Sequence, residues 1–170
     1  TVQDSGCTSV TTVHYLTINQ TPPAPTATSN SPVCVGSTIN LSAGNIPGAT
    51  YNWTGPLGFN SGNQNPSIPG ATIPMSGVYL VYASISGCPG SMGSTFVAVN
   101  PNPTPTAWAT PDSVCDESTI YLFCDTTLGG AYSWTGPSGY TSSVQNPTIS
   151  PADFGNAGIY TVTVTAGTCT

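Results

Sequence analysis

The sequence predicts an all-β fold made of tandem antiparallel β-sandwich modules, and three observations carry that prediction. The first is a constant spacing. Trp53 and Trp134, Cys34 and Cys115, and Cys88 and Cys169 each stand 81 positions apart, and Cys7 stands 81 before Cys88. An offset that never drifts marks a copied module. The second is a short-range alternation of apolar and polar residues, as in "STINLSAG" (37–44) and "STIYLFCD" (118–125). The third is punctuation: the chain holds 17 Pro and 19 Gly, Pro and Gly mark every gap between such runs, and no segment holds a helical period of useful length. Short alternating strands between turn signals specify an antiparallel sandwich. A period of 81 residues suits a small bead-like domain and is too long for a helical-hairpin repeat.

Taken in order, residues 1–20 read as the C-terminal strands of a preceding module, with "TVHYLTIN" (12–19) as its closing strand. Residues 21–100 form a module with a Pro-rich entry, "NQTPPAPTATSNSP" (19–32). Its strands are 37–44, "ATYNWTG", "SGVYLVYASISG" (76–87) and the closing "STFVAVN" (94–100). Residues 101–170 repeat the plan behind a second Pro-rich join, "NPNPTPTAWATP" (100–111), and lack the last strand. Joins of this composition act as extended, semi-rigid spacers.

Composition removes several function classes. The chain holds no Lys and no Arg, and its net charge is -6. With no cation to meet phosphate, nucleic acid is excluded as a partner, and so is attraction to anionic lipid. No apolar run is long enough for direct membrane insertion as a helix. An apolar fraction of 38% in ordered patterns argues against disorder.

The cysteines indicate an oxidising compartment. The 54-position spacing of Cys34 to Cys88 recurs in Cys115 to Cys169, which assigns one disulfide to each module. Closing such a loop stabilises by about 4 kcal/mol in the chain-entropy treatment. Cys7 and Cys124 are then unpaired within the segment. Cys124 has Ala43 as its counterpart and follows Ile120 and Leu122 at period two, so it reads as an inward core thiol; a reactive thiol is the sharper alternative. Zinc would need clustered Cys and His, and the one His is His14. No cofactor is expected.

The longest shared stretch is "YNWTGPLGFNSGNQNP" (51–66) against "YSWTGPSGYTSSVQNP" (132–147). Trp53 and Trp134 stand where an immunoglobulin-like sandwich keeps its core Trp. "SGVY" and "AGIY" resemble the tyrosine corner of that fold, with Tyr79 and Tyr160 as the corner residues. The Cys expected two residues after that Tyr is replaced by Val81 and Val162. "TGPxG" and "QNP" read as turns. The competing reading puts Phe59 and Tyr140 in exposed loops as platforms for sugar rings. Trp108, whose counterpart is Ala27, is the stronger platform candidate, or else a plug between modules.

Together these motifs resemble the Ig-like or PKD-like repeats of giant cell-surface adhesins of the Bacteroidota. The resemblance covers nearly the whole chain. It implies an extracellular cell-surface protein, exported by the type IX secretion system and in some members serving gliding motility. "DSV" (112–114) and "DTT" (125–127) resemble the acceptor pattern of Bacteroidota O-glycosylation, which would place sugar on Ser113 and Thr126; the alternative is two chance matches in a Ser- and Thr-rich chain.

Catalysis fails on inventory. The acids are Asp4, Asp112, Asp116, Glu117, Asp125 and Asp153, and none recurs between modules. Asp116 and Glu117 are adjacent, so they do not face each other across a cleft as a glycosidase pair must. A calcium site from Asp112, Asp116, Glu117 and Asp125 stays open as a lesser reading. The expected function is therefore a spacer or stalk of a large secreted adhesin. Its partners are neighbouring modules of the same protein or filament, with surface polysaccharide as a further ligand class. Two alternatives remain: a filament subunit in which residues 8–20 of one chain complete residues 107–170 of the next, and a carbohydrate-binding accessory module.

Overall fold

The computed structural model describes residues 3–4, 6–8 and 10–170. A short antiparallel pair, β1 (Gln3–Asp4) and β2 (Cys7–Thr8), precedes a stretch without regular structure through residue 26. On that stretch Val13, Tyr15, Leu16 and Ile18 are all exposed.

Module 1 follows as β3 (Ala27–Ser29), β4 (Val33–Cys34), β5 (Ile39–Ala43), β6 (Thr50–Thr54), β7 (Asn60–Ser61), β8 (Ser67–Ile68), β9 (Gly77–Ile85), β10 (Cys88–Val97) and β11 (Val99–Asn100). One sheet has the order β10-β9-β6-β7 and the other β3-β5-β8. Strand β11 lies parallel to β4. Module 2 comprises β12 (Ala107–Thr110), β13 (Ile120–Cys124), β14 (Gly130–Thr135), β15 (Thr141–Ser142), β16 (Thr148–Ile149) and β17 (Thr161–Ala166). Its sheets are β12-β13-β16 and β15-β14-β17. Among the described residues, every strand pairing except β11 with β4 is antiparallel.

Period-two alternation places the cores. On β5, Ile39, Leu41 and Ala43 are buried while Asn40 and Ser42 face out. They pack with Tyr51 and Trp53 of β6 and with Tyr79, Val81 and Ala83 of β9. Module 2 has a separate, smaller cluster around Leu122, Cys124, Trp134 and Val164. Among the described residues, no buried side-chain nitrogen or oxygen lacks a hydrogen-bond partner.

Strand directions divide each module into two poles. In module 1, β9 runs to a hairpin and β10 returns beside it, pairing Cys88 with Ile85 and Val97 with Gly77. The hairpin pole therefore carries Cys88. The opposite, linker pole carries β4, β11 and the exit toward module 2. The outer edge of β10 is covered by the incoming chain, where Pro22 and Pro25 are buried. Gly90 and Gly93 allow that approach, because a Cβ at either would collide with the carbonyl oxygen of Pro22 or Pro25. Module 2 has no counterpart of β10 and β11 within these 170 residues.

This geometry corrects the cysteine pairing read from the spacing. Cys34 lies at the linker pole and Cys88 at the hairpin pole. Ten-residue β10 separates them, about 30 Å at about 3.3 Å per residue. A disulfide needs Cα atoms within about 7 Å. The structure instead joins Cys34 to Cys169 across the two modules, with Cα atoms 5.4 Å apart and a sequence separation of 135. Cys88 and Cys115 are free thiols. The side chain of Cys7 lies outside the described residues.

Candidate functional site

The repeated motif is built inward. Trp53 is 0% exposed and Trp134 1%. Each indole Nε1 donates to the backbone oxygen of a Gln eleven residues on, Gln64 at 3.1 Å and Gln145 at 3.2 Å. That Gln side chain donates in turn to the facing strand, Gln64 Nε2 to Ala43 O and Gln145 Nε2 to Cys124 O, both at 2.8 Å. The following Asn accepts from the same residue's N–H, Asn65 Oδ1 from Ala43 at 3.2 Å and Asn146 Oδ1 from Cys124 at 3.0 Å. "QNP" thus locks one sheet to the other and satisfies groups that burial would otherwise leave unpaired.

The turn has a similar logic. The first Gly of "TGPxG" has extended backbone, with φ -169 at Gly55 and -164 at Gly136. Glycine is needed there for space, because a Cβ would collide with the ring of Tyr79 or Tyr160. Positive φ falls on the next residues, Leu57 (55) with Gly58 (75) and Ser138 (52) with Gly139 (75). The corner hydroxyls donate to backbone oxygens four residues upstream, Tyr79 to Met75 at 3.0 Å and Tyr160 to Asn156 at 2.7 Å. Burial pushes both phenols above their ordinary range; at Tyr160 the neighbouring Tyr140 and Asp153 add to the effect.

Phe59 and Tyr140 are not loop-tip platforms. Each ring packs edge-on against the corner Tyr, with centroids 5.6 Å apart in both modules. Trp108 is neither in a linker nor a plug. It lies on β12, 49% exposed, and stacks on Phe123 of β13 at a centroid distance of 5.6 Å and an interplanar angle of 15°. Tyr121 is exposed two residues along the same strand. The matching outer positions of module 1 are Thr28, which pairs with Ser42 as Trp108 pairs with Phe123, and Asn40. Module 2 alone therefore carries an aromatic strip.

The acids are scattered. Among the described residues, no group of three or more His, Cys, Asp or Glu stands close enough to hold a metal ion. Asp153 caps a 3-10 turn by accepting from Gly155 N at 2.8 Å. Asp125 accepts from Thr106 N at 3.2 Å. Both roles are structural. Ser113 and Thr126 are exposed. Cys124 is buried, and desolvation together with the nearby Asp125 raises its thiol above the ordinary range.

The two linker poles differ most. In module 1, Val97 and Val99 plug the space between the sheets and are buried. Val33 N donates to Ala98 O at 3.0 Å and Val35 N to Asn100 O at 2.9 Å. In module 2 the same space is an open groove of about 370 Å³, lined by Val114, Cys115, Ile120, Ala152 and Tyr160 among others. The N–H groups of Val114 and Asp116, which match Val33 and Val35, find no backbone partner among the described residues. Cys115 is exposed on its rim. Sequence spacing could not show this groove, since it arises from what surrounds the motif.

No protein-family model matches the chain, and no curated protein does. Among solved structures, it is similar to a chain in the mouse coronavirus receptor-binding domain complexed with its murine receptor. The identity is 15% and the TM-score 0.51, over 85% of this chain and 94% of that one. Murine CEACAM1b follows at 16% identity and TM-score 0.48, over 84% and 92%. The three N-terminal domains of the bacteriophage RB49 outer capsid protein Hoc follow at 19% and 0.47, over 85% and 54%. At such identity the first likeness concerns the fold alone. The chain is all-β, and its modules are immunoglobulin-like sandwiches.

Proposed function

We propose that these modules are structural spacer repeats of a large extracellular surface protein, the stalk of an adhesin of the Bacteroidota type that the motifs resemble. The observation that carries this reading is the disulfide across the joint. Cys34 and Cys169 give the junction two covalent paths, the linker and the S–S bond. A bridge spanning 135 residues contributes about 5 kcal/mol in the chain-entropy treatment, and it ties the two modules together covalently. The absence of Lys and Arg leaves a surface of hydroxyl, amide and carboxylate groups suited to life outside the cell. Exposed Ser113 and Thr126 fit sugar attachment in such a setting.

Single-molecule pulling tests the load-bearing role. With the disulfide intact, only the residues outside the 135-residue bridge extend. Reduction should add about 460 Å of contour at about 3.4 Å per residue. An oxidised chain that reaches full length would remove the stalk reading.

A second reading has its own observation. The outward Trp108–Phe123 stack, absent from module 1, suits the flat face of a sugar ring, which adds polysaccharide adhesion to the spacer role. Retention on insoluble polysaccharides, lost in Trp108→Ala with the fold unchanged, would support it. Equal retention of both proteins would dismiss it.

A further inference from the structure

We propose that the outer face of the β10-β9-β6-β7 sheet of module 1 is a docking surface for a second copy of this chain, which meets it with the same face in a two-fold pair. Such pairing goes beyond the spacer reading and does not depend on it.

Three observations carry it, all from within module 1 and its comparison with module 2. The first is what the strands turn outward. Tyr79, Val81 and Ala83 of β9 point into the core, so Val78, Leu80 and Tyr82 alternate onto the opposite face. The register sets Phe96 of β10 beside Val78, and Met92 beside Tyr82. Val78, Met92 and Phe96 are each more than half exposed, and Leu80 and Tyr82 are half-buried among them. Thr54 and Asn52 of β6 flank Leu80 and Tyr82, with Asn60 of β7 beyond Thr54. An apolar centre with a polar border is the anatomy of a protein interface. Single exposed apolar side chains are ordinary, whereas a contiguous group across paired strands marks an interaction site.

The second is the same face of module 2. There β17 carries Thr161 and Thr163 where β9 has Leu80 and Tyr82. That sandwich forms with hydroxyls in those slots, so the fold does not require the apolar set. The third is charge. All six acids lie outside residues 21–100, and the chain has no Lys or Arg. Module 1 is therefore an uncharged body in a chain of net charge -6. Copies of an acidic chain repel one another through their acids, and module 1 is where they can touch without that cost. A face without charge gives a charged partner nothing to pair with. Its complement is another uncharged apolar face, and every copy of the chain carries one.

Charge also sets the direction. Packed sheets keep their strands within about 30° of alignment. Residues 101–170 leave module 1 at its linker pole and hold five of the six acids. Opposed strand directions send the two sets of acids to opposite ends, whereas parallel directions would bring them together. In the opposed pair Leu80 meets its own mate near the two-fold axis, and Phe96 of each copy meets Met92 of the other, a favourable sulfur–aromatic contact. The sheet edge is not available instead, since Pro22 and Pro25 cover the outer side of β10. The four strands present about 400 Å² of sheet per copy. That is small for a specific interface, so the pair is weak and reversible, with a Kd between about 10 μM and about 1 mM.

Sedimentation equilibrium of the 170-residue chain tests this, with Cys88→Ser and Cys115→Ser throughout so that no disulfide joins copies. The mass should rise from 17.2 kDa toward twice that value with concentration, and sulfate should strengthen the pairing. Met92→Ser with Phe96→Ser should weaken it by about tenfold or more. These side chains are 63% and 61% exposed, so the fold should hold, with an unchanged near-UV circular dichroism spectrum as the check. Leu80→Asp should abolish pairing, and Thr161→Asp, in the matching slot of module 2, should leave it intact. Phe96→Glu should weaken pairing, and adding Met92→Lys to the same chain should restore it, because opposed strands bring those two positions together between copies. A mass fixed at 17.2 kDa at every concentration would overturn the proposal. So would unchanged pairing in the Met92 and Phe96 double variant, or an equal loss in Thr161→Asp. No rescue by Met92→Lys would overturn the opposed direction. Flotation with neutral phosphatidylcholine vesicles, lost in the double Ser variant while the mass stays at 17.2 kDa, would assign the face to lipid instead. The pulling experiment reads single molecules, so the spacer reading stands or falls apart from this result.

Discussion

Modules 1 and 2 place the same residues in the same slots and bury them to different depths. Ile39 is 0% exposed, whereas its counterpart Ile120 is half-buried. Tyr79 and Tyr160 differ in the same direction, as do Val33 and Val114. Yet the indole bond, the Gln–Asn lock and the corner hydroxyl are made in both modules, with distances that agree within a few tenths of an ångström. The central layer of the sandwich is thus specified by the repeated motif. The linker pole is specified by a strand that only module 1 holds within these residues. The comparison separates what the motif fixes locally from what a returning strand must supply.

The largest test of that separation is truncation of the two tryptophans. Trp53→Ala should cost about 3–5 kcal/mol, as full removal of a buried aromatic does. Trp134→Ala should fall at the lower end. Its cavity opens toward side chains that are already half-exposed and free to collapse, and the cost of a cavity depends on how well its walls close. Hydrogen exchange at neutral pH, read separately over Thr50–Thr54 and Gly130–Thr135, reports each module on its own. A larger loss at Trp134 than at Trp53 would show that module 2 is closed at its linker pole in solution.

Much of this architecture was legible in the sequence, for a definite reason. Period-two alternation reports which face of a strand is buried, so Ile39, Leu41 and Ala43, and with them Ile120, Leu122 and Cys124, could be assigned inward from spacing alone. The tryptophans and corner tyrosines were legible because large rings recur at one offset. The cysteines misled, because a constant spacing says that two pairs are equivalent without saying which members meet. Counting strand directions would have helped. From Cys34 the chain crosses the sandwich along β5, returns along β6 and crosses again along β9, an odd number of passes, so Cys88 must emerge at the far pole. The same count puts Cys169 beside module 1. The role of "QNP" was hidden because a side chain that bonds to a facing strand leaves no periodic trace. Phe59 looked like a loop residue for the same reason, since its packing partner Tyr79 is twenty positions away.

The finest comparison uses alkali. Both modules hold a corner phenol, buried at Tyr79 and half-buried at Tyr160, whose folded pKa is raised above its ordinary 10.0. A raised value means that folding favours the protonated form. Stability is therefore complete below about pH 10 and is lost as pH rises through the folded pKa. Module 2 has one more such group. Cys124 stands where module 1 has Ala43, and its thiol is raised above 9.0, first by burial and then by Asp125. The same sign applies, so module 2 alone should begin to weaken as pH rises past about 9. Cys124→Ala gives module 2 the residue of module 1 and should remove that early phase while leaving the phenol phase above pH 10 in place. The measurement is urea unfolding from pH 7 to 11, with Cys88→Ser and Cys115→Ser in both proteins so that free thiolates do not exchange with the Cys34–Cys169 bond. Below pH 9 the two curves should differ by a constant offset from the lost sulfur; above it they should converge. Parallel curves across pH 9 to 10 would mean that Cys124 reaches solvent, and that the core of module 2 is open beyond its linker pole.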